Sequence, residues 1–236
     1  MNNFVRAFWK YICKDISFSI IMPTYNRGYI IEKSIDSVLT QSFTNYELII
    51  VDDGSTDNTR ELIFDKYKKY IESKKIVYVE GNHGGVCVAR NIGLATASNE
   101  WIAYIDSDNT IKPDYLLYFA KNIKIYRKKC FYCGLTYASK KTVLNKKFDY
   151  RILLKGNFID MGTFVHNRSL VMELGGFDEN LTRLVDWDLI LTYTKKYTPK
   201  HIDKILLIYN DNDRNDRITK NENLKTNYEY IRSKHQ

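Results

Sequence analysis

The 236-residue chain has only 3 prolines and 4 cysteines, and no apolar run long enough to cross a bilayer. A membrane-spanning helix needs about 20 predominantly apolar residues, so none is expected. The first residues also lack the apolar stretch and small-residue cleavage site of a secretory leader. Together these absences make the cytoplasm the expected location. Of Cys13, Cys87, Cys130 and Cys133, only the last two are closely spaced, and no second pair or nearby histidine completes a zinc set. Reduced, mostly buried thiols are expected. No Pro/Gly linker and no internal repeat divide the chain, so its second half reads as fused to the first.

Hydrophobic residues make up 44% and charged residues 27%, enough for a sizeable core. The formal charge of +8 favours anionic partners such as nucleotides, nucleic acids or acidic lipid surfaces without choosing among them. The 19 tyrosines raise the alternative of a basic, aromatic nucleic-acid module. They are scattered, and no recognised nucleic-acid motif accompanies them, so no nucleic-acid partner is expected.

From residue 18 onward, apolar runs alternate with helical spacing. "FSIIM" (18–22), "ELIIV" (47–51), "IVYV" (76–79) and "WIAYI" (101–105) read as strands buried on both faces of a parallel sheet. Between them, Ile31/Ile35/Val38/Leu39, Ile63/Tyr67/Tyr70/Ile71, Val88/Ile92/Ala95 and Leu116/Ala120/Ile123 carry helical periodicity. That alternation predicts an α/β fold. Beyond about residue 130 the rhythm changes. "CFYCGLTYAS" and "KTVLNKKF" read as a strand pair, "GTFVHN" as another strand, Val185–Tyr193 as a helix, and "HIDKILLIY" (201–209) as a last strand. The tail, 211–236, reads as a mobile loop and a frayed helix.

Three strands run into polar clusters: Pro23-Thr24-Tyr25-Asn26-Arg27, Asp52-Asp53-Gly54-Ser55 and Asp106-Ser107-Asp108-Asn109. In an open parallel sheet such strand ends share the edge where ligands bind. Helix capping explains any one cluster; three on one edge favour a site. Adjacent acids such as Asp52 and Asp53 repel one another and lose hydration when buried. Asp106 and Asp108, one residue apart, suit a hard divalent cation whose shell is completed by substrate phosphates and water.

"SIIMPTYNRGYIIEKSIDSVLTQSFTNYELIIVDDGSTDNT", "ARNIGLATASNEWIAYIDSDN" and "GGFDENLTRLVDWDL", in this order, resemble a family 2 glycosyltransferase across roughly residues 17–210. The resemblance implies the GT-A fold: a Rossmann-like, mostly parallel central sheet flanked by helices, with a mixed acceptor-side second half. It divides the domain into a nucleotide-sugar half (17–109) and an acceptor half (110–210). It also implies an inverting, metal-dependent enzyme of bacterial polysaccharide synthesis, capsule or lipopolysaccharide. Such an enzyme moves a sugar from a nucleotide diphosphate sugar, UDP-linked, to a glycan or lipid-linked acceptor with Mn²⁺ or Mg²⁺. By position, Pro23, Thr24 and Tyr25 would line the base and ribose pocket, and Asp53 would accept from the nucleobase. Arg90 would lie near the diphosphate. Asp106 and Ser107 would sit near ribose and metal, Asp108 would be the direct metal ligand, and Asp186 the catalytic base, with Trp187 and Asp188 on the acceptor side. Asp52 reads as ordering the turn. A catalytically inactive sugar-nucleotide-binding protein is the alternative.

Two features depart from the family pattern. Val185-Asp186 stands where Glu-Asp is usual, and the loop after the last strand has no histidine, leaving Asp211, Asn212 or Asp213 as substitutes if the loop is not simply solvated. His83 and His166 receive no role. Ahead of the domain, residues 1–16 form an amphipathic helix on the pattern Phe4, Phe8, Tyr11, Ile12, with Arg6, Lys10 and Lys14 opposite. Such a helix packs on protein or, through residues 1–15, makes peripheral contact with an anionic membrane, here the inner face of the cytoplasmic membrane.

Overall fold

The computed structural model describes residues 1–140, 142–212 and 224–235. Among these, nine strands form one mixed sheet: β1 (Phe18–Thr24), β2 (Tyr46–Asp52), β3 (Ile76–Glu80), β4 (Trp101–Tyr104), β5 (Thr110–Ile111), β6 (Cys130–Tyr137), β7 (Val143–Leu144), β8 (Phe164–Asn167) and β9 (Lys200–Tyr209). Their order is β3-β2-β1-β4-β8-β6-β9-β5, with β7 paired to β6. The β3-β2-β1-β4 half is parallel, and β8 joins β4 and β6 antiparallel, so the sheet changes character where the sequence rhythm changes. The helices are α1 (Asn3–Ile12), α2 (Ile31–Leu39), α3 (Thr59–Glu72), α4 (Val86–Thr96), α5 (Tyr115–Tyr126), α6 (Tyr150–Leu153), α7 (Ser169–Leu174), α8 (Val185–Lys196) and α9 (Leu224–His235).

Period-two alternation along the strands builds a core on each face of the sheet. Ile20, Met22, Leu48 and Ile50 point towards α1, α2, α3 and α5, whereas Ile21, Ile49 and Val51 point towards α4, α6, α7, α8 and α9. Each of these side chains is fully buried or nearly so, and burial of one such residue contributes about 1.5–3 kcal/mol. The third run departs from expectation: β3 is an edge strand, so Val77, Tyr78 and Val79 are only half-buried.

The four helices expected between the first strands are present, but α4 shows a different face. Cys87, Ala89, Arg90, Gly93 and Leu94 are buried, while Ala95 is exposed. Gly93 makes this packing feasible, because a Cβ there would lie 2.4 Å from Ile21 Cγ2. The tail also differs. The expected mobile loop falls mostly on residues 213–223, outside the described residues; the helix after it, expected to fray, is α9, which docks on α8 with Ile231 fully buried. All four cysteines are buried and free, and no helix among the described residues is long and apolar enough to cross a membrane.

Candidate active site

β1, β2 and β4 run parallel, so the three polar clusters do emerge at one edge. The turns there are tied to one another. Asn26, at φ +51°, accepts through its side-chain oxygen from Thr56 N–H at 2.7 Å and donates its backbone N–H to Ser55 Oγ at 2.8 Å. Asp52 accepts from Ser55 N–H at 2.8 Å and from the Tyr78 hydroxyl, an arrangement that orders the turn. Asp53 is buried and spends both oxygens on the loop after β3, accepting from Gly84 N–H at 2.8 Å and Gly85 N–H at 2.7 Å. The Tyr25 ring packs against His83 at a tilt of 32°, with ring centroids 4.3 Å apart. His83, whose Nδ1 lies 3.3 Å from Asp53 O, thus links Tyr25 to Asp53 at this edge, and it was not singled out by its sequence context.

Deeper along the edge, buried Arg90 reaches from α4 to the turn after β4, where its Nη2 donates to Asp106 Oδ1 at 2.8 Å. Burial works against the guanidinium's charge. The negative charges of Asp106 and then Asp186 outweigh it and hold the pKa above its ordinary value. Ser107 beside Asp106 is buried, and Asp108 is half-buried. Buried polar atoms in folded proteins nearly always find partners. Two that lack one among the described residues, Arg90 Nε and Thr24 Oγ1, lie at this edge. A polyanionic, hydroxyl-rich ligand would satisfy both.

Asp186 comes from the opposite half, in the first turn of α8. It accepts from Asn157 Nδ2 and from Trp187 N–H, both at 2.8 Å. Burial raises its pKa, Arg90 and the Trp187 N–H pull it down, and Asp106 pushes it up again; the net direction is up. A third carboxylate, Asp160, escaped sequence reasoning. Burial, and then the charges of Asp106 and Asp186, raise its pKa to about 8. Only a short Asp-Met-Gly turn marks it in the sequence, where its Oδ1 accepts from Gly162 N–H at 2.8 Å. Arg90 therefore acts on Asp106, Asp160 and Asp186, three acids drawn from both halves of the chain.

α4 also fixes the loop before α8. Asn91 donates to Phe177 O at 2.9 Å and accepts from Phe177 N–H at 2.8 Å, and Cys87 Sγ donates to Leu181 O at 3.3 Å. Neither Trp187 nor Asp188 joins the cluster. Trp187 is buried, donates to Leu153 O at 2.7 Å and stacks on Tyr228. Asp188 faces the other way and pairs with Lys234 Nζ at 2.9 Å and His235 Nε2 at 2.8 Å. Two positions along a helix turn a side chain by about 200°, so the two acids meet different partners. Asp211 caps a turn by accepting from Ser139 N–H at 2.7 Å, Asn212 is exposed, and Asp213 lies outside the described residues. His166 is held in the core against Tyr104.

For a divalent cation, the residues present fit an ion shared with substrate. Asp106 and Asp108 offer hard oxygen donors on one turn. No group of three or more His, Cys, Asp or Glu side chains among the described residues is placed to cage a metal by itself. Two carboxylates completed by phosphate and water is a typical Mg²⁺ arrangement.

Comparison with known proteins bears on the family and the fold. Residues 19–172 match the family described as Glycosyl transferase family 2. An Escherichia coli relative named UDP-Glc:alpha-D-GlcNAc-diphosphoundecaprenol beta-1,3-glucosyltransferase WfgD is 34% identical over 162 residues, covering 66% of this chain and 62% of its own length. The chain spans less than two thirds of the curated relatives it matches first, down to 16% of one of them. Staphylococcus aureus TarS (residues 1–349), solved with UDP-GlcNAc, superposes with a TM-score of 0.78 at 21% identity, covering 92% of this chain and 64% of TarS. The mannosyltransferase PcManGT of Pyrobaculum calidifontis, solved with GDP-Man and Mn²⁺, gives 0.67 at 18% identity, covering 90% and 66%. The fold is GT-A, and the chain belongs to glycosyl transferase family 2.

Proposed function

We propose that this chain is an inverting glycosyltransferase of bacterial cell-surface polysaccharide synthesis. It moves a sugar from a nucleotide diphosphate sugar, UDP-linked, to a hydroxyl of a glycan or lipid-linked acceptor. The convergence of Asp106 and Asp186 on buried Arg90 carries this reading, because it joins the donor edge to the half expected to hold the acceptor. A UDP-GlcNAc complex among the structural neighbours and a relative named for a diphosphoundecaprenol-linked acceptor support the donor and acceptor classes.

In this reading residues 17–109 bind the nucleotide sugar and 110–210 the acceptor. Pro23, Thr24 and Tyr25 line the base and ribose pocket, and Asp53 with the loop it holds orients the base. Arg90 offers the diphosphate its Nε, which has no partner among the described residues. Asp108, with Asp106, would hold Mn²⁺ or Mg²⁺, which when bound supplies positive charge at the departing diphosphate. Asp186 takes the proton of the attacking hydroxyl; its raised pKa brings it closer to the operating pH than an ordinary carboxylate. The reaction takes place in the cytoplasm, at the inner face of the membrane that carries the lipid-linked acceptor.

The test is a screen of nucleotide sugars against diphosphoundecaprenol-linked saccharides, with Mn²⁺ or Mg²⁺, following product anomericity. Transfer from a UDP-sugar with inverted configuration is expected. Metal-dependent UDP binding with no turnover of any nucleotide sugar would leave the inactive binding protein as the better reading.

A further inference from the structure

α1 lies beside α5, and Met1, Arg6, Trp9 and Ile12 turn towards the domain. Arg6 makes a two-pronged contact with Asp114, Nε to Oδ1 at 2.9 Å and Nη2 to Oδ2 at 3.0 Å. Trp9 sits beneath Lys121, whose Nζ is 4.8 Å from the ring, and Cys13, just past the helix end, is fully buried. Arg6, one of the two cations of α1, is thus spent on the domain. What faces outward is aromatic: Phe4 is 82% exposed, Phe8 51% and Tyr11 70%, at the i, i+4, i+7 spacing of one helix face.

That face is flanked by cations. Lys10 on α1 and Lys14 just beyond its end are exposed, and Lys14 Nζ stands 5.4 Å over the Tyr11 ring. Exposed Arg127 and Lys128 follow the end of α5, the helix that α1 accompanies. α1 carries no carboxylate, and Asp15 beyond it is paired with Lys124 at 2.8 Å. Protruding rings among exposed lysines, with the other face anchored, suit the boundary between anionic headgroups and acyl chains. A protein groove lined with hydrophobic side chains would bury the rings but would gain nothing from the cations around them.

We infer that the Phe4–Phe8–Tyr11 face of α1 seats the protein on an anionic bilayer surface, with Lys10 and Lys14 at the headgroups. The inference rests on the proposed lipid-linked acceptor for its purpose, since such an acceptor confines the reaction to the membrane plane. Vesicle binding without nucleotide sugar reads the surface alone, and transfer to a water-soluble acceptor analogue reads the catalysis alone, so the two fail separately.

The full chain is mixed with phosphatidylcholine vesicles, with and without a third of phosphatidylglycerol, and sedimented. Binding to the anionic vesicles is expected, weakening by about five-fold for each of Lys10→Gln and Lys14→Gln and falling as salt rises. Replacing Phe4, Phe8 and Tyr11 together by serine should lower binding at least ten-fold, while the melting temperature and soluble-acceptor transfer stay at wild-type values. Equal binding by the serine variant overturns the inference. So does an absence of vesicle binding, and so does a wild-type dimer in sedimentation velocity that the serine variant dissolves, which would give the face to a second copy.

Discussion

Arg90 Nη2 donates to Asp106 Oδ1 at 2.8 Å, while Nε of the same guanidinium has no partner among the described residues. One edge of the fork neutralises a strand-end acid and another is left for an anion. Arg90→Lys keeps the charge but lacks the fork. It should fold and yet bind UDP at least about ten-fold more weakly, read by calorimetry. Arg90→Ala leaves Asp106, Asp160 and Asp186 without their shared cation and should cost about 3 kcal/mol in urea unfolding, the lower end for a broken buried pair because Asp106 stays partly in water. Wild-type UDP affinity in the lysine variant would remove Arg90 from the diphosphate site.

Asp53 accepts one backbone N–H on each oxygen. Asp53→Asn places an amide N–H₂ against one of those donors and so breaks one of the two hydrogen bonds that hold the loop. Faster amide exchange at Gly84 and Gly85 and weaker UDP binding should appear together. Faster exchange with unchanged UDP affinity would make Asp53 a loop anchor alone.

The metal proposal concerns Asp108. Asp108→Ala should abolish the Mn²⁺-dependent part of UDP binding while leaving the metal-free part, measured by titration with and without EDTA. Transfer that persists in excess EDTA would refute a metal requirement.

Asp160 makes a pH prediction. Its folded pKa of about 8 stands above the ordinary carboxylate value, so between roughly pH 4 and pH 8 the folded state holds a proton that the unfolded state releases. Stability therefore falls as pH rises through that window. Asp160→Asn removes the effect, and the variant should gain on the wild type from pH 5 to pH 8.5, in EDTA, as read from urea midpoints. A constant difference across that range would mean that Asp160 ionises like an ordinary carboxylate.

What was legible in the sequence was what is local. Ile20–Met22 and Leu48–Val51 announce strands because both their neighbours bury them, and the acids that follow stand out against those runs. The buried face of α4 was misread because Arg90 and Gly93 lie on it, one held by a carboxylate 16 positions away and the other needed for close approach to Ile21. α9 looked unfit to pack because its sequence is polar. It docks through Lys234 and His235 on Asp188, and through Tyr230 and Lys234 on Asp178, pairings that no short window contains. Asp160 had no signal beyond a turn, because its environment is made by residues from two other segments.

The last prediction separates Asp186 from Asp188. Asp186 faces Arg90 and the other acids with its pKa raised, whereas Asp188 is buried against Lys234 and His235. An acceptor hydroxyl needs a carboxylate to take its proton as the new bond forms, and inversion requires only that one base. Asp186→Asn should retain UDP binding and lower transfer by roughly 10² to 10⁴-fold. The wild-type rate should fall with decreasing pH along a limb displaced upward from the ordinary carboxylate range, because the base must be ionised. That limb should vanish in the residual activity of Asp186→Asn and persist in Asp160→Asn. Asp188→Asn should instead loosen α9, lowering the melting temperature and exposing Ile231 to exchange, with a much smaller loss of rate in the fraction that remains folded. If Asp188→Asn is folded and dead while Asp186→Asn transfers sugar normally, the base has been assigned to the wrong face of α8.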